Sequence, residues 1–253
     1  MKSIILAAGY ATRLYPLTEN HPKPLLEMGD CTILDLLIKN VDDIDDMDSH
    51  FIISNHKFYS LFCQWAQQTA PSLHHPVTII DDGSETNEQR MGAVSDLLLA
   101  LERLDINDDI MVLAADNILD FSLKGFAAFF KEKEASVIMC HHEPELKLLQ
   151  RTGVIRVDEN MKVIEMQEKP LLPKSHWAVP PFYIYKRSDL PLIQNCLNHG
   201  CGTDAPGNLA HYLADKTTIY AWEMPGRRID IGTIDSYTEA QKQFASHKRE
   251  QSI

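Results

Sequence analysis

The stretch LAAGYATRLYPLTENHPKP, residues 6–24, sets Gly9, Thr12, Arg13 and Lys23 immediately behind an apolar run. These residue types hold anions. A glycine lets backbone come close to a ligand, and threonine, arginine and lysine donate hydrogen bonds to phosphate oxygens. Pro16, Pro22 and Pro24 restrict the segment around them, so Lys23 projects from a stiffened loop. Two cations on such a loop suit a triphosphate. An ordinary surface loop with incidental basic residues has the same composition, and neither GxGxxG nor GxxxxGKS/T is present to decide between the two.

To position such a loop the chain needs a strand before it and a sheet around it. In open parallel sheets ligands bind beyond the carboxyl ends of the strands, and the first strand-to-helix turn favours phosphate. Apolar runs of strand length occupy residues 3–7, 50–54, 77–81, 110–114, 136–141 and 154–157. Between them, residues 32–40 place Ile33, Leu34 and Leu37, with Val41 just beyond, at helical spacing, and residues 93–104 do the same with Leu97, Leu98, Leu101 and Leu104. This alternation predicts an α/β fold, a mainly parallel sheet flanked by helices. After about residue 150 the texture changes. VIRVDENMKVIEMQEKP has short alternating runs around Asp158, Glu159 and Asn160, which predicts a hairpin in a small β-rich subdomain. Residues 234–246 read as an amphipathic helix, and the final KREQSI as a frayed tail.

The totals narrow the function. A chain of 253 residues, 44% hydrophobic and 24% charged, can bury one large core, so one domain is the default. A formal net charge of -12 repels polyanions and argues against general nucleic-acid binding, while leaving room for a local basic pocket. The five cysteines, Cys31, Cys63, Cys140, Cys196 and Cys201, show no CxxC pair or metal-ligand spacing and read as reduced intracellular thiols. No apolar run approaches the roughly 18 residues that span a bilayer, and the amino terminus lacks a signal-peptide core. A soluble cytoplasmic protein without membrane attachment is expected. The acidic run VDDIDDMDSH, residues 41–50, lacks calcium-loop spacing and reads as a solvated helix exit and loop.

The first loop, together with three later blocks, resembles the sugar-phosphate nucleotidylyltransferases, of the glucose-1-phosphate thymidylyltransferase-like kind. That family's LA(A/G)GxGTRLxPLT and PKP patterns match Leu6 to Gly9, Thr12 to Leu14, Pro16 to Thr18 and Pro22 to Pro24. LAADNILDF resembles its strand-end block through Asp116 and Asn117, TGVIRVDENMKVIEMQEKP its sugar-site hairpin through Gly153, Glu168 and Lys169, and RRIDIGTIDSYTEA its D-x-G-T block through Asp230, Gly232 and Thr233. The resemblance implies a Rossmann-like core and a single nucleotidyltransferase domain over residues 1–253. Within it, about 1–150 would form the nucleotide-binding core, about 151–233 the acceptor-binding portion carrying the second metal aspartate, and 234–253 the helix and tail.

The chemistry implied is transfer of a nucleoside monophosphate from an NTP to a sugar 1-phosphate with release of pyrophosphate, without a protein nucleophile. Arg13 is implied as the clamp on the β- and γ-phosphates and Lys23 as the bridge to the α-phosphate. Asp116 and Asp230 are implied as Mg²⁺ ligands. Leu6, Ala8, Gly9, Thr12, Asn87 and Gly92 fall on the nucleotide side, with Gln89 an alternative to Asn87 for the base edge. Asn117, Gly153, Glu168, Lys169 and Val179 fall on the acceptor side. The partners are then an NTP and a small phosphorylated acceptor, with neither nucleic acid nor membrane, and with room for a homo-oligomer.

The sequence also departs from the family pattern. Tyr10 is bulkier than usual, Ala11 replaces the second glycine of GxGTR, and Ala115 replaces the glycine before the strand-end aspartate. In SHWAVPPFYIYKRSDL, Pro180 and Pro181 stand where a threonine and a glycine normally face the sugar, which removes two backbone donors. The altered wall keeps open a cytidylyltransferase acting on phosphocholine or a phosphonate. A non-catalytic subunit that binds nucleotide sugar is the rival from another class, and an NAD-dependent dehydrogenase lacks its GxGxxG. The shortness of the chain, without a β-helix domain, slightly favours a pyrimidine triphosphate.

Overall fold

The computed structural model describes residues 1–250, with side chains as far as residue 244. In chain order the first half contains β1 (Lys2–Leu6), β2 (Glu27–Met28), β3 (Cys31–Thr32), α1 (Ile33–Asp42), β4 (Ser49–Ser54), α2 (His56–Thr69), β5 (Val77–Asp81), α3 (Ala93–Arg103), β6 (Ile110–Ala114), β7 (Asn117–Leu119) and α4 (Lys124–Lys133). The second half contains β8 (Ser136–His142), α5 (Leu146–Leu149), β9 (Gly153–Val157), β10 (Val163–Glu168), β11 (Trp177–Val179), β12 (Phe182–Tyr185), α6 (Pro191–Asn198), α7 (Pro206–Ala214), β13 (Ile219–Glu223), β14 (Arg228–Asp230) and α8 (Ile234–Glu250). The α/β class is as expected, and the six strands read from the apolar runs all form. The last helix runs to Glu250; the rest of the tail lies outside the described residues.

The chain divides into two compact units. Unit 1 holds Met1–Ile4, Met91–Leu113 and Leu123–Pro225; unit 2 holds Ile5–Arg90, Ala114–Ser122 and Gly226–Ile253.

In unit 2, β4 and β5 pair in parallel, from His50 opposite Val77 to Ser54 opposite Asp81. The end of β1 lies alongside them: the Ala7 N–H donates to the Ile53 carbonyl at 2.9 Å, and the Ala115 N–H to the Leu6 carbonyl at 3.1 Å. Helix α1 starts on a reciprocal cap, with the Thr32 hydroxyl accepting from the Asp35 N–H and the Asp35 carboxylate from the Thr32 N–H. Its apolar face, Ile33, Leu34, Leu37, Ile38 and Val41, is buried, as the spacing predicts. Asp35 also accepts from the Trp65 indole and the Thr69 hydroxyl of α2, so one carboxylate fixes both helices. A short antiparallel ladder joins β7 to β14, placing Asn117 opposite Asp230. Beneath it Leu14, Leu26, Met28, Ile33, Ile231, Tyr237 and Ala240 form one buried cluster, which gives the first loop and the β14 end a common floor.

In unit 1 the strands run in the order β10, β9, β11, β8, β12, β6, each antiparallel to its neighbour, with β13 parallel to β8. The predicted hairpin is β9–β10. Asp158 closes its turn by accepting from the Asn160 and Lys162 N–H groups, both at 2.9 Å.

Two expectations are corrected. Cys196 and Cys201 form a disulfide: α6 ends, Gly200 takes a left-handed φ of 74°, and the reversed chain brings Cys201 back over Cys196. Nor is the run 41–50 wholly solvated, because Asp42 is 4% exposed and His50 fully buried. Among the described residues no helix is long and apolar enough to cross a membrane.

Candidate functional site

The first loop leaves β1 through Ala7 and Ala8, both buried, and reaches solvent at Gly9, where a Cβ would meet nothing within 4 Å. The Ala8 carbonyl is held by the Asn55 amide at 3.0 Å, and Asn55 also caps α2. Leu6 is half-buried at the strand end. The two departures in this loop both find local reasons. Tyr10 turns inward, 4% exposed, and its hydroxyl donates to the Ser84 carbonyl at 2.8 Å. Ala11 adopts the left-handed conformation usually left to glycine, with φ 47° and ψ 42°. Its carbonyl accepts from the Leu14 N–H at 2.9 Å and the Thr18 hydroxyl at 2.8 Å, so the surrounding turn holds it there. The turn exposes Thr12 and Arg13 and buries Leu14 in the floor.

Lys23 begins a short 3₁₀ turn between two prolines. Its ammonium donates to Asp116 Oδ2 at 2.5 Å and to the Ile231 carbonyl at 2.8 Å. The Asn117 amide donates to the other Asp116 oxygen at 2.8 Å and to the Ala114 carbonyl at 3.2 Å. Asn117 is 1% exposed, and its own carbonyl accepts from Arg228. Asp230 follows two residues after Arg228, on the strand that faces Asn117. The Asp230 carboxyl is pushed above the ordinary range, first by the protein around it and next by the charge of Asp116, while Arg228, Lys23 and Arg13 pull it back. With 56% of its side chain still open to water, solvent screens that balance. Unit 2 therefore gathers Arg13, Lys23, Asp116, Asn117 and Asp230 at one end, with Thr12 and Gly9 on the same loop. Downstream, Thr233 caps α8, its hydroxyl accepting from the Ser236 N–H at 3.2 Å.

The nucleobase candidates are divided between the two units. Asn87 and Gln89 lie in an exposed 3₁₀ turn of unit 2, where the Asn87 carbonyl accepts from Arg90 and the Gln89 side chain from the Glu85 N–H. Gly92 belongs to unit 1 and has a structural duty there. Its φ is 90°, and a Cβ would sit 2.7 Å from the Thr203 carbonyl oxygen.

Unit 1 also gathers the hairpin residues. Glu168 pairs with Gly153 across β9–β10, and Val179 with Gly153 across β9–β11. A Cβ on Gly153 would lie 3.2 Å from the Val179 Cβ and 3.3 Å from Glu168 Oε2; one on Gly207 would lie 2.0 Å from Oε2. Glu168 is thus enclosed by two glycines, and burial raises its carboxyl above the ordinary range against the opposing charges of Lys169 and His211. Lys169, at φ 46°, is anchored by its N–H to the Thr152 carbonyl at 3.1 Å. Its ammonium lies 3.8 Å from Glu168, with 53% of the side chain exposed. Pro180 is buried and Pro181 half-buried beyond Val179.

Sequence reasoning missed Arg228, Gly207 and His211. Arg228 lies inside the RRIDIGT block and could have been weighed there. Gly207 and His211 enter the site only because α7 packs on β10, a pairing with no local signal.

A family model described as Nucleotidyl transferase matches residues 2–247. Among solved structures, a putative glucose-1-phosphate thymidylyltransferase from Bacillus anthracis, in complex with a sucrose, aligns with TM-score 0.81 at 24% identity, covering 96% of this chain and 95% of that one. A UDP-glucose pyrophosphorylase complexed with UDP-glucose aligns with TM-score 0.81 at 21% identity, covering 97% and 98%. An apo UDP-glucose pyrophosphorylase gives 0.80 at 20%, covering 98% of each chain. These likenesses describe the fold, and the family match spans nearly the whole sequence: the chain belongs to the nucleotidyl transferase family.

Proposed function

We propose that this protein is a Mg²⁺-dependent nucleotidylyltransferase that joins an NTP to a sugar 1-phosphate and releases pyrophosphate. The observation that carries the reading is the cluster of Lys23, Asp116 and Asp230, with Arg13 on the loop beside it. Two carboxylates, Asp116 raising the carboxyl of Asp230 by its charge, are a donor set suited to a hard divalent cation, and the substrate phosphates supply further oxygens. The bound Mg²⁺ would neutralise charge on the phosphates. Arg13 binds the β- and γ-phosphates and the departing pyrophosphate, and Lys23 balances charge on the five-coordinate α-phosphorus. Asn117 and Ile231 keep Asp116 and Lys23 oriented. Thr12, Gly9, Ala8 and Leu6 line the nucleotide side, with Gly92 and either Asn87 or Gln89 on the base.

Glu168 accepts from the hydroxyls of the acceptor, Lys169 grips its phosphate, and Gly153 and Val179 form the wall. The acceptor oxygen attacks phosphorus directly, so no side chain becomes covalently modified. A pyrimidine base accords with the names of the structural neighbours, which carry thymidylyl and UDP-glucose. The buried Pro180 favours a second reading, a cytidylyltransferase for phosphocholine or a phosphonate, because the wall it forms offers no N–H to a sugar.

Pyrophosphate release measured over dTTP, UTP, CTP, ATP and GTP, each against sugar 1-phosphates, phosphocholine and aminoethylphosphonate, tests both readings. Turnover with a sugar 1-phosphate supports the first and turnover with phosphocholine or the phosphonate the second. Tight nucleotide-sugar binding without turnover in any pair makes the protein a binding subunit instead.

A further inference from the structure

Unit 2 contains a second cluster of ligand-type side chains that the transfer chemistry does not use. Asp42 is the last residue of α1, where a buried carboxylate faces the negative end of the helix dipole. Its Oδ1 lies 3.0 Å from His50 Nε2 and 2.9 Å from His75 Nδ1, and its Oδ2 lies 3.1 Å from His74 Nδ1. The backbone N–H groups of His74 and His75 donate to the same carboxylate at 2.7 and 3.0 Å, which fixes its orientation. His50 is fully buried, while the His75 side chain is 24% and that of His74 72% exposed, so the cluster is rigid within and open at one side.

One donor atom from each of Asp42, His50 and His75 can be chosen so that all lie within 4.8 Å of one another. Four ligands at about 2.0–2.1 Å around a tetrahedral zinc are separated by about 3.4 Å. Two of the three edges here are already at 2.9 and 3.0 Å, and the partly exposed His75 ring can close the third. Two imidazoles and one carboxylate suit zinc and its first-row neighbours, whereas magnesium prefers oxygen donors and retains its water.

We propose that Asp42, His50 and His75 form a binding site for a divalent transition-metal ion, foremost Zn²⁺, with the fourth position left to water on the open side. The site is separate from the Asp116–Asp230 pair. His50 stands at the start of β4, while Asn55, just past the far end of that strand, holds the first loop; at about 3.3 Å per residue this is a separation of roughly 16 Å. A bound ion ties the end of α1 to β4 and to the turn before β5, which stabilises unit 2 without touching the transfer chemistry.

Chelator-stripped protein, its accessible thiols alkylated and Mg²⁺ present, is titrated with Zn²⁺ and Co²⁺. Metal content after dialysis, the visible Co²⁺ spectrum and the thermal midpoint are read. The expected result is one retained equivalent, a four-coordinate nitrogen and oxygen spectrum, and a midpoint raised by Zn²⁺. His75→Ala lies at the surface edge of the cluster and should fold. Loss of an outer-shell partner alone costs about 10–100-fold in metal affinity, so losing this donor weakens binding by more than about 100-fold and removes the midpoint rise. Asp116→Asn retains both. The proposal is overturned if wild type retains no ion, if His75→Ala binds as wild type does, or if Asp116→Asn abolishes the retained equivalent.

Discussion

The Lys23 ammonium lies 2.5 Å from Asp116 Oδ2 and 2.8 Å from the Ile231 carbonyl, with only 14% of its side chain exposed. One side chain thereby joins the loop after β1, the turn after β6 and the residue after β14. The contact orients Asp116 and sets a positive charge beside it, so the two residues act as a unit.

Asp116→Asn keeps the shape and removes the charge. Turnover should fall by about 10³-fold, and Lys23→Ala should cost roughly 10²–10³-fold, with circular dichroism unchanged in both. Steady-state kinetics of the two variants and their double mutant checks this. The double mutant should lose far less than the product of the single losses, because the residues share one task. Near-normal turnover of Asp116→Asn refutes the assignment.

Ala11 sits in the left-handed region at φ 47°. Relieving its Cβ there is worth about 1 kcal/mol. Ala11→Gly should therefore raise the thermal midpoint by about 2–4 °C, with turnover kept within a few-fold. A lowered midpoint means that the strain is not where φ locates it.

Gly92 faces the opposite constraint. At φ 90°, a Cβ would press on the Thr203 carbonyl. Backbone strain and overpacking together should make Gly92→Ala cost about 2–4 kcal/mol in urea unfolding. A variant of unchanged stability that has lost only nucleotide affinity contradicts this structural duty.

Burial raises the Glu168 carboxyl, so ionising it opposes folding. The folded state keeps its proton to higher pH than the unfolded state, so this group's contribution to stability falls as pH climbs from 4.5, the ordinary glutamate value, and levels off above the folded pKa. Glu168→Gln removes that dependence, and its urea midpoint should gain on wild type across this window. The same variant, like Lys169→Ala, should raise KM for the acceptor and leave that for the NTP nearly unchanged. A midpoint difference of opposite sign, or an effect confined to the NTP, places these residues wrongly.

Much of this was legible in the residues. The apolar runs of β4 and β6 mark strands buried along nearly their whole length, and the helical spacing of Ile33, Leu34, Leu37 and Val41 marks a helix buried on one face; local sequence records both. Phe58, Phe62 and Trp65 carry the same signal for α2. The β7–β14 ladder left no such trace. Its strands are three residues each and lie far apart in the chain, so nothing periodic announces that Asp230 will face Asn117. Only the resemblance of the motif blocks, which implies Asp116 and Asp230 as ligands of one metal, brings the two segments together. The Cys196–Cys201 bond and the burial of Asp42 depend likewise on where a helix ends, the least legible of local features.

The central claim is direct transfer of a nucleotidyl group without a protein nucleophile. It is tested most directly by incubating the protein with Mg²⁺, an NTP labelled at the α-phosphorus and a sugar 1-phosphate, then separating protein, nucleotides and pyrophosphate. The account predicts label in a nucleotide-sugar product, one unlabelled pyrophosphate per product and none bound to protein. Label held covalently on the protein, or nucleotide-sugar binding with no pyrophosphate released across the whole substrate panel, contradicts it.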